Sequence, residues 1–167
     1  MHSVLREEGY PVAMLATLLA FIEGSIGSKQ YLRLYVQVQQ DDQLTHKDVI
    51  DNGRFPCALF TSCHLTIMGL LMNGVHTNVT ETVEDLYASG WYEIDEPTPG
   101  AVVLWAPKMA SDEKPHRHIG FVLDDIHAVS TDGVTGRPTK HHVTYGETNG
   151  IPNRLIEAFF FHRLLCQ

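Results

Sequence analysis

Val12 to Ile22 is a run of eleven positions interrupted only by Thr17. It is too short to span a bilayer, and it reads as a helix packed in the core, ended by Glu23–Ser28. Residues 58–72 carry a second pattern. Leu59, Ser62, Cys63 and Thr66 recur at helical spacing, as do Leu65, Met68 and Met72, which predicts a buried helix. Asn78-Val79-Thr80-Glu81 fits a capping box and opens a third helix to about Ser89, stopped by Gly90. Residues 30–38 alternate as a strand does. Gln39 to Arg54 is polar and turn-rich, and reads as a long surface loop lining a cleft. Trp91–Asp95 then leads through two prolines to a strand over 101–106. After a loop at 107–115, a strand follows from His116 to Leu123. A tight turn at Asp124-Asp125 and strands near 126–131, 140–145 and 156–163 complete the chain. Helices first and an antiparallel meander afterwards predict an α+β fold, with 1–167 as a single domain.

Composition narrows the function classes. The chain is 44% hydrophobic and 19% charged, with a formal net charge of −8. There is no basic stripe to neutralise phosphates, so nucleic acid is not the expected partner. Cys57, Cys63 and Cys166 form no C-x-x-C pair, which argues against both a disulfide framework and a four-cysteine zinc site. The ten histidines include no H-E-x-x-H, so neither a metal nor a coenzyme is expected. His64 and His76 read as structural histidines, and His116 as a partly exposed strand-end residue. Arg6-Glu7-Glu8 ahead of the first apolar run is net acidic, and no small-x-small cleavage site follows. The expectation is a chain without a membrane span or clear signal peptide, either cytoplasmic or non-classically exported.

The candidate chemistry begins at Cys57. It follows a turn at Asp51–Arg54 and stands directly after Pro56, at the first turn of the predicted 58–72 helix. A thiol there feels unpaired backbone N–H groups and the positive end of the helix dipole. Both favour thiolate, so its pKa is expected to fall. Downstream, His118-Ile119-Gly120-Phe121-Val122-Leu123 places a histidine at the start of a strand. The glycine within it marks close approach by a neighbour, and imidazole titrates in the range a thiol's base requires.

Nucleophile on a helix start, base on a strand, in that chain order, is the papain-like arrangement. The chain resembles the NlpC-type branch of that cysteine peptidase and amidase superfamily, as a divergent member. Cys57 with its helix, Pro99-Gly100-Ala101-Val102-Val103-Leu104-Trp105, and the His118 strand carry the resemblance, which covers about 70 to 80 residues. It implies N-terminal helices on a C-terminal antiparallel sheet. It also implies thiol hydrolysis of an amide, with bacterial peptidoglycan peptides or related peptides as substrate. Cys57 would attack, His118 would move the proton, and the Cys57 N–H would contribute to an oxyanion hole. Members of the family usually carry Asp-Cys-Ser at the nucleophile. Here Pro56-Cys57-Ala58 stands instead, so the usual preference for a free amino-terminal stem peptide does not carry over. A catalytically inactive binding module on the same fold and an exported amidase toxin or effector are the alternative readings.

A third polar group must hold the base. A two-residue Asp124-Asp125 turn would pair Val122 with His127 and put His127 on the face of His118, with Thr131 opposite His118. Related enzymes often place a histidine on this second strand, and Ile126-His127-Ala128 is similar to their pattern. His127 is therefore the expected orienting residue, with His141, His142 and Thr131 as candidates beside it. A register shift of one would turn His127 to the other face and hand the role to His141 or His142.

Overall fold

The computed structural model describes residues 11–109 and 113–166. Arg6–Glu8, and residues 110–112 of the expected 107–115 loop, lie outside the described residues. The first apolar run forms α1 (Met14–Gly24). Leu18 and Ile22, one turn apart, are both fully buried, while Leu15 packs on Gly100. A Cβ at Gly100 would stand 2.5 Å from Leu15 Cδ1, and its φ is +85°, so both space and backbone demand glycine. No helix among the described residues is long and apolar enough to cross a membrane.

The expected 30–38 strand lies later, as β1 (Tyr35–Gln40), and it pairs with β2 (Gln43–Asp48). Much of the expected 39–54 loop is thus a hairpin. Asp41 and Asp42 close it with φ of 49° and 61°, the two left-handed residues of a type I′ turn. Both faces of the hairpin are largely exposed, so the alternation of Val36, Gln37, Val38 and Gln39 in β1 marks a strand without a buried face.

Helix α2 (Cys57–Ile67) starts as expected but ends five residues before the predicted limit of 72. Gly69, at φ +69°, makes the stop. Leu70 N–H donates to the Leu65 carbonyl and Gly69 N–H to that of Thr66, a Schellman closure. Met72 beyond it is 75% exposed. Helix α3 (Val79–Ala88) is capped by Asn78, whose side chain accepts from Glu81 N–H. It ends at Gly90 with the same pair of bonds, Gly90 N–H to Tyr87 and Trp91 N–H to Leu86.

The sheet contains β3 (Tyr92–Ile94), β4 (Val102–Met109), β5 (Pro115–Val122), β6 (His127–Thr131), β7 (Pro138–His142) and β10 (Ile156–Phe161). Its order is β3-β10-β4-β5-β6-β7, and each neighbouring pair is antiparallel. A two-strand ribbon, β8 (Glu147–Thr148) with β9 (Ile151–Pro152), lies between β7 and β10 in the chain. A 3₁₀ turn, Arg163–Cys166, follows. The architecture is α+β. Strand β4 runs past the expected 106 because the irregularity between Trp105 and Lys108 lets it keep pairing with β5.

The turn between β5 and β6 overturns the expected register. Val122 pairs with Ala128 and Phe121 with Val129. The Asp124 carboxylate accepts from the N–H of both Ile126 and His127, which stretches the connection over residues 124–126. Each residue of β6 therefore faces opposite to the expected side.

Helix α2 lies against β5 and β6, and the Phe60 and Phe121 rings meet edge to face with centroids 5.7 Å apart. The turn leading into α2 touches the β6–β7 loop. A Cβ on Gly136, at φ +66°, would stand 2.5 Å from the Gly53 carbonyl oxygen.

Candidate active site

Cys57 is the first residue of α2, and Pro56 before it offers no side-chain cap. The thiol is 7% exposed and borders a cavity of about 880 Å³ that His118 borders as well. The N–H of Ile119 points at the sulfur, as do those of Ala58 and Cys57 itself. These donors favour thiolate, as the helix start predicts. Burial is the larger effect, however, and it raises the thiol pKa. The expected lowering is reversed because an N-terminal thiol is activated only where it stays partly hydrated.

His118 stands on β5 opposite Trp105 of β4, and the two ring centroids are 5.4 Å apart. Trp105 is fixed by its indole N–H, which donates to the Val143 carbonyl at 2.7 Å. Burial, then Arg154, then His141 push the His118 pKa down to about 3, while the Thr131 carbonyl acts the other way. Thiol and imidazole are thus both neutral near pH 7, and no hydrogen bond joins them among the described residues.

What holds His118 is Ser130, a residue absent from the expected set. Continuing the β5–β6 register by one pair sets Ser130 against Gly120. A Cβ on Gly120 would lie 2.7 Å from Ser130 Cβ and 2.5 Å from the Val129 carbonyl oxygen. The close approach that glycine signalled is made by β6. Ser130, 1% exposed, places its hydroxyl 2.9 Å from His118 Nε2, 2.7 Å from His141 Nε2 and 2.9 Å from the Tyr145 hydroxyl.

The directions of these bonds follow from His141. Its Nδ1 lies 2.8 Å from the His142 carbonyl, which can only accept, so Nδ1 carries the proton. Its pKa is lowered, chiefly by burial, so it is neutral and its Nε2 must accept from Ser130. A hydroxyl has one proton and two lone pairs. Tyr145 O–H and His118 Nε2–H are therefore the donors to Ser130. That leaves Nδ1 as the basic nitrogen of His118.

Tyr145 sits at φ 59°, an uncommon backbone region for an aromatic residue, costing on the order of 1 kcal/mol. Its ring stacks on His141 with centroids 4.0 Å apart. Burial first of all raises its pKa to about 12, so it remains a donor.

The shifted register separates His127 from this group. His127 Nδ1 lies 2.9 Å from the Asp124 carboxylate, and neither residue borders the cavity. His142, paired with His127 across β6–β7, accepts from Thr144. Thr131 borders the cavity, but its buried hydroxyl has no hydrogen-bond partner among the described residues. His141 is the candidate that the structure brings to His118, through Ser130.

His64 and His76 are held by partners away from this group. His64 Nδ1 donates to the Phe60 carbonyl at 2.8 Å. His76 Nε2 meets the buried Asp85 carboxylate at 2.8 Å. His116 stacks on Phe55, with centroids 4.7 Å apart, and borders the cavity. Among the described residues no cluster of three or more His, Cys, Asp or Glu could hold a metal.

Arg154, just before β10, also borders the cavity. It was not anticipated, because an isolated Asn-Arg between two short strands carries no motif. Its Nη2 donates to the His116 carbonyl at 3.0 Å, and its Cζ stands 5.8 Å from the Tyr145 ring centroid. No protein-family model matches this chain, and no curated protein matches it.

Proposed function

We propose that this chain is a thiol-dependent hydrolase of NlpC-type, papain-like architecture that cleaves an amide bond. Peptidoglycan peptides or related peptides are the substrate class that the resemblance implies. The observation that carries the reading is a cavity bordered by a helix-start thiol and by an imidazole whose Nε2–H is held by Ser130. Cys57 Sγ bonds to the carbonyl carbon as His118 Nδ1 takes the thiol proton. The C–N bond then breaks, and His118 returns that proton to the leaving amine. Water next attacks the thioester, His118 accepts its proton, and the S–C bond breaks to release the acid and restore the thiol. Because both groups rest neutral, the proton moves during attack rather than beforehand. Backbone N–H groups at the start of α2 stabilise the developing oxyanion.

The experiment is intact-protein mass spectrometry after incubation with a p-nitrophenyl ester and with peptidoglycan stem peptides. An acyl adduct on Cys57, absent in Cys57→Ala and slow to form in His118→Ala, is the expected result. Peptide cleavage that survives Cys57→Ala would overturn the reading.

A second reading, a catalytically silent binding module on the same fold, is favoured by the raised thiol pKa. It expects peptide binding to wild type and Cys57→Ala alike, with no adduct and no cleavage.

A further inference from the structure

A second hollow, of about 450 Å³, is lined by Lys29, Gln30, Leu32, Arg33, Asn52 and Arg137. It shares no lining residue with the active-site cavity. The chain has 20 acidic residues against 12 Lys and Arg, yet three of its cations meet at this hollow and no carboxylate lines it.

The fold gathers them from three segments. Lys29 and Arg33 lie between α1 and β1, and the Gly27 N–H donates to the Pro138 carbonyl at 2.8 Å, tying that segment to the start of β7. Leu32 packs on the contact between Gly53 and Gly136. Its Cδ2 would stand 2.5 Å from a Cβ on Gly53 and 2.8 Å from one on Gly136. Asn52 and Arg137, each next to one of those glycines, are thereby brought to the same place.

Neutral groups orient Arg33. Its Nε donates to Asn52 Oδ1 at 3.2 Å and its Nη1 to the Tyr35 hydroxyl at 3.3 Å. Because a guanidinium only donates, this bond fixes the Asn52 amide and leaves its Nδ2 protons for another acceptor. Arg54, Arg117 and Lys140 each have a carboxylate partner. Among the described residues Lys29, Arg33 and Arg137 have none, and the Lys29 and Arg137 side chains make no hydrogen bond. Asp48 lies near enough to feel the Arg33 charge, but its carboxylate is taken up by the N–H groups of Leu34, Ile50 and Asn52.

Like charges converging on one concavity repel each other until an anion enters. Two guanidinium forks, an ammonium and an amide N–H₂ suit a group with several oxygens and more than one negative charge. A nucleic acid would call for cations strung along a surface, whereas these three face one hollow. We propose that the hollow binds a phosphoryl dianion, either free phosphate or the phosphomonoester of a larger molecule. The site stands independently of the hydrolase reading. Asn52 and Arg137 belong to the loops that reach the active-site cavity at Arg54 and Gly133. A phosphate held here therefore sits beside that cavity and joins the turn before α2 to the β6–β7 loop.

The test is calorimetric titration of the full chain with inorganic phosphate near pH 8, where phosphate is mainly a dianion. Chloride at matched ionic strength keeps general screening equal. Saturable binding and a rise in Tm are expected. Lys29→Gln should weaken binding about three- to fivefold, the upper range for an exposed ion pair. Arg137→Gln, at a half-buried side chain, should weaken it about tenfold or more, as for a hydrogen bond to a charged group. Lys29 is exposed and without a partner, so Lys29→Gln decides the matter if Arg137→Gln does not fold. Cys57→Ala should bind phosphate as the wild type does. Phenyl phosphate bound at least as tightly as phosphate identifies a phosphomonoester on a larger molecule, and binding of phosphate alone identifies the free ion; either supports the site. Dimethyl phosphate, a singly charged diester, should bind more weakly, and equal binding would overturn the assignment to a dianion. Absence of binding, binding unchanged in Lys29→Gln or in folded Arg137→Gln, or binding lost in Cys57→Ala would overturn the proposal.

Discussion

Gly120 and Ser130 approach so closely across β5 and β6 that a methyl group on Gly120 would sit 2.7 Å from Ser130 Cβ. The same methyl would stand 2.5 Å from the Val129 carbonyl oxygen, which belongs to backbone and cannot swing aside. Gly120→Ala should therefore push β6 away from β5, at a cost of about 1–3 kcal/mol, the range for overpacking. Denaturant unfolding measures it. Esterase activity should fall further than stability does, because the displaced hydroxyl is the one that holds His118.

Ser130→Ala probes that hydroxyl directly. It leaves two donors and one acceptor without a partner, and each such orphan costs about 1–3 kcal/mol when fully buried. The cavity here is open enough for water to recover part of that. Turnover should drop at least about tenfold, since His118 loses the bond that sets its tautomer. His127→Ala should leave turnover unchanged and cost at most the surface contact with Asp124. Steady-state kinetics on the two variants decides between the observed register and the one expected from a two-residue turn.

The contrast between two Asp-Asp pairs explains how that expectation failed. Asp41-Asp42 closes its hairpin with two left-handed residues, whereas neither Asp124 nor Asp125 has positive φ. At the second site the Asp124 carboxylate accepts backbone N–H groups and lengthens the loop. Nothing within the dipeptide distinguishes the two outcomes, because the choice rests on strand pairing further along. Strand parity then extends the error to Ser130, which a two-residue turn would point away from His118. What was legible rested on local chemistry: the Asn78 cap, the Gly90 stop, the Cys57 helix start and the His118 strand. Gly69, which ends α2, was legible in principle, but the apolar Leu70-Leu71-Met72 beyond it masked the stop. The sign of the Cys57 shift was not legible, since burial depends on packing that no local pattern states.

The pKa directions predict an acid-sensitive fold. His118, His64 and His141 are lowered, each chiefly by burial. Protons therefore bind the unfolded chain more readily, with the ordinary histidine pKa near 6.5. Stability from these groups is complete above about pH 6.5 and declines as pH falls toward the folded values, about 3 for His118. A second decline follows lower down. Asp124 is held at about 2, first by the Ile126 N–H, and Asp85 is lowered by His76, Asn73 and Ser89 although burial opposes them. Stability from these carboxylates is present above about pH 4 and lost as pH drops through their folded values. Melting temperature against pH should show both stages, and His118→Gln should flatten the first.

In α1 the expected cost of truncation falls unevenly. Leu18 is fully buried whereas Leu15 and Leu19 are only part-buried. Leu18→Ala should cost on the order of 2–5 kcal/mol and Leu19→Ala clearly less. Urea unfolding of the two variants checks the difference, and equal costs would mean that α1 packs through a broader face.

Ser130 has one proton to share between two imidazoles. That arithmetic makes the pair unequal by construction. Whichever ring accepts the proton forces the other to donate, so a change of tautomer at His141 must be answered at His118. The direction is fixed at the far end of the line, by the His142 carbonyl that keeps the Nδ1 proton of His141. A peptide oxygen outside the cavity's chemistry thereby decides which nitrogen of His118 is left to act as a base. The site's polarity is thus set by main chain, in a place where side-chain replacement cannot reach it.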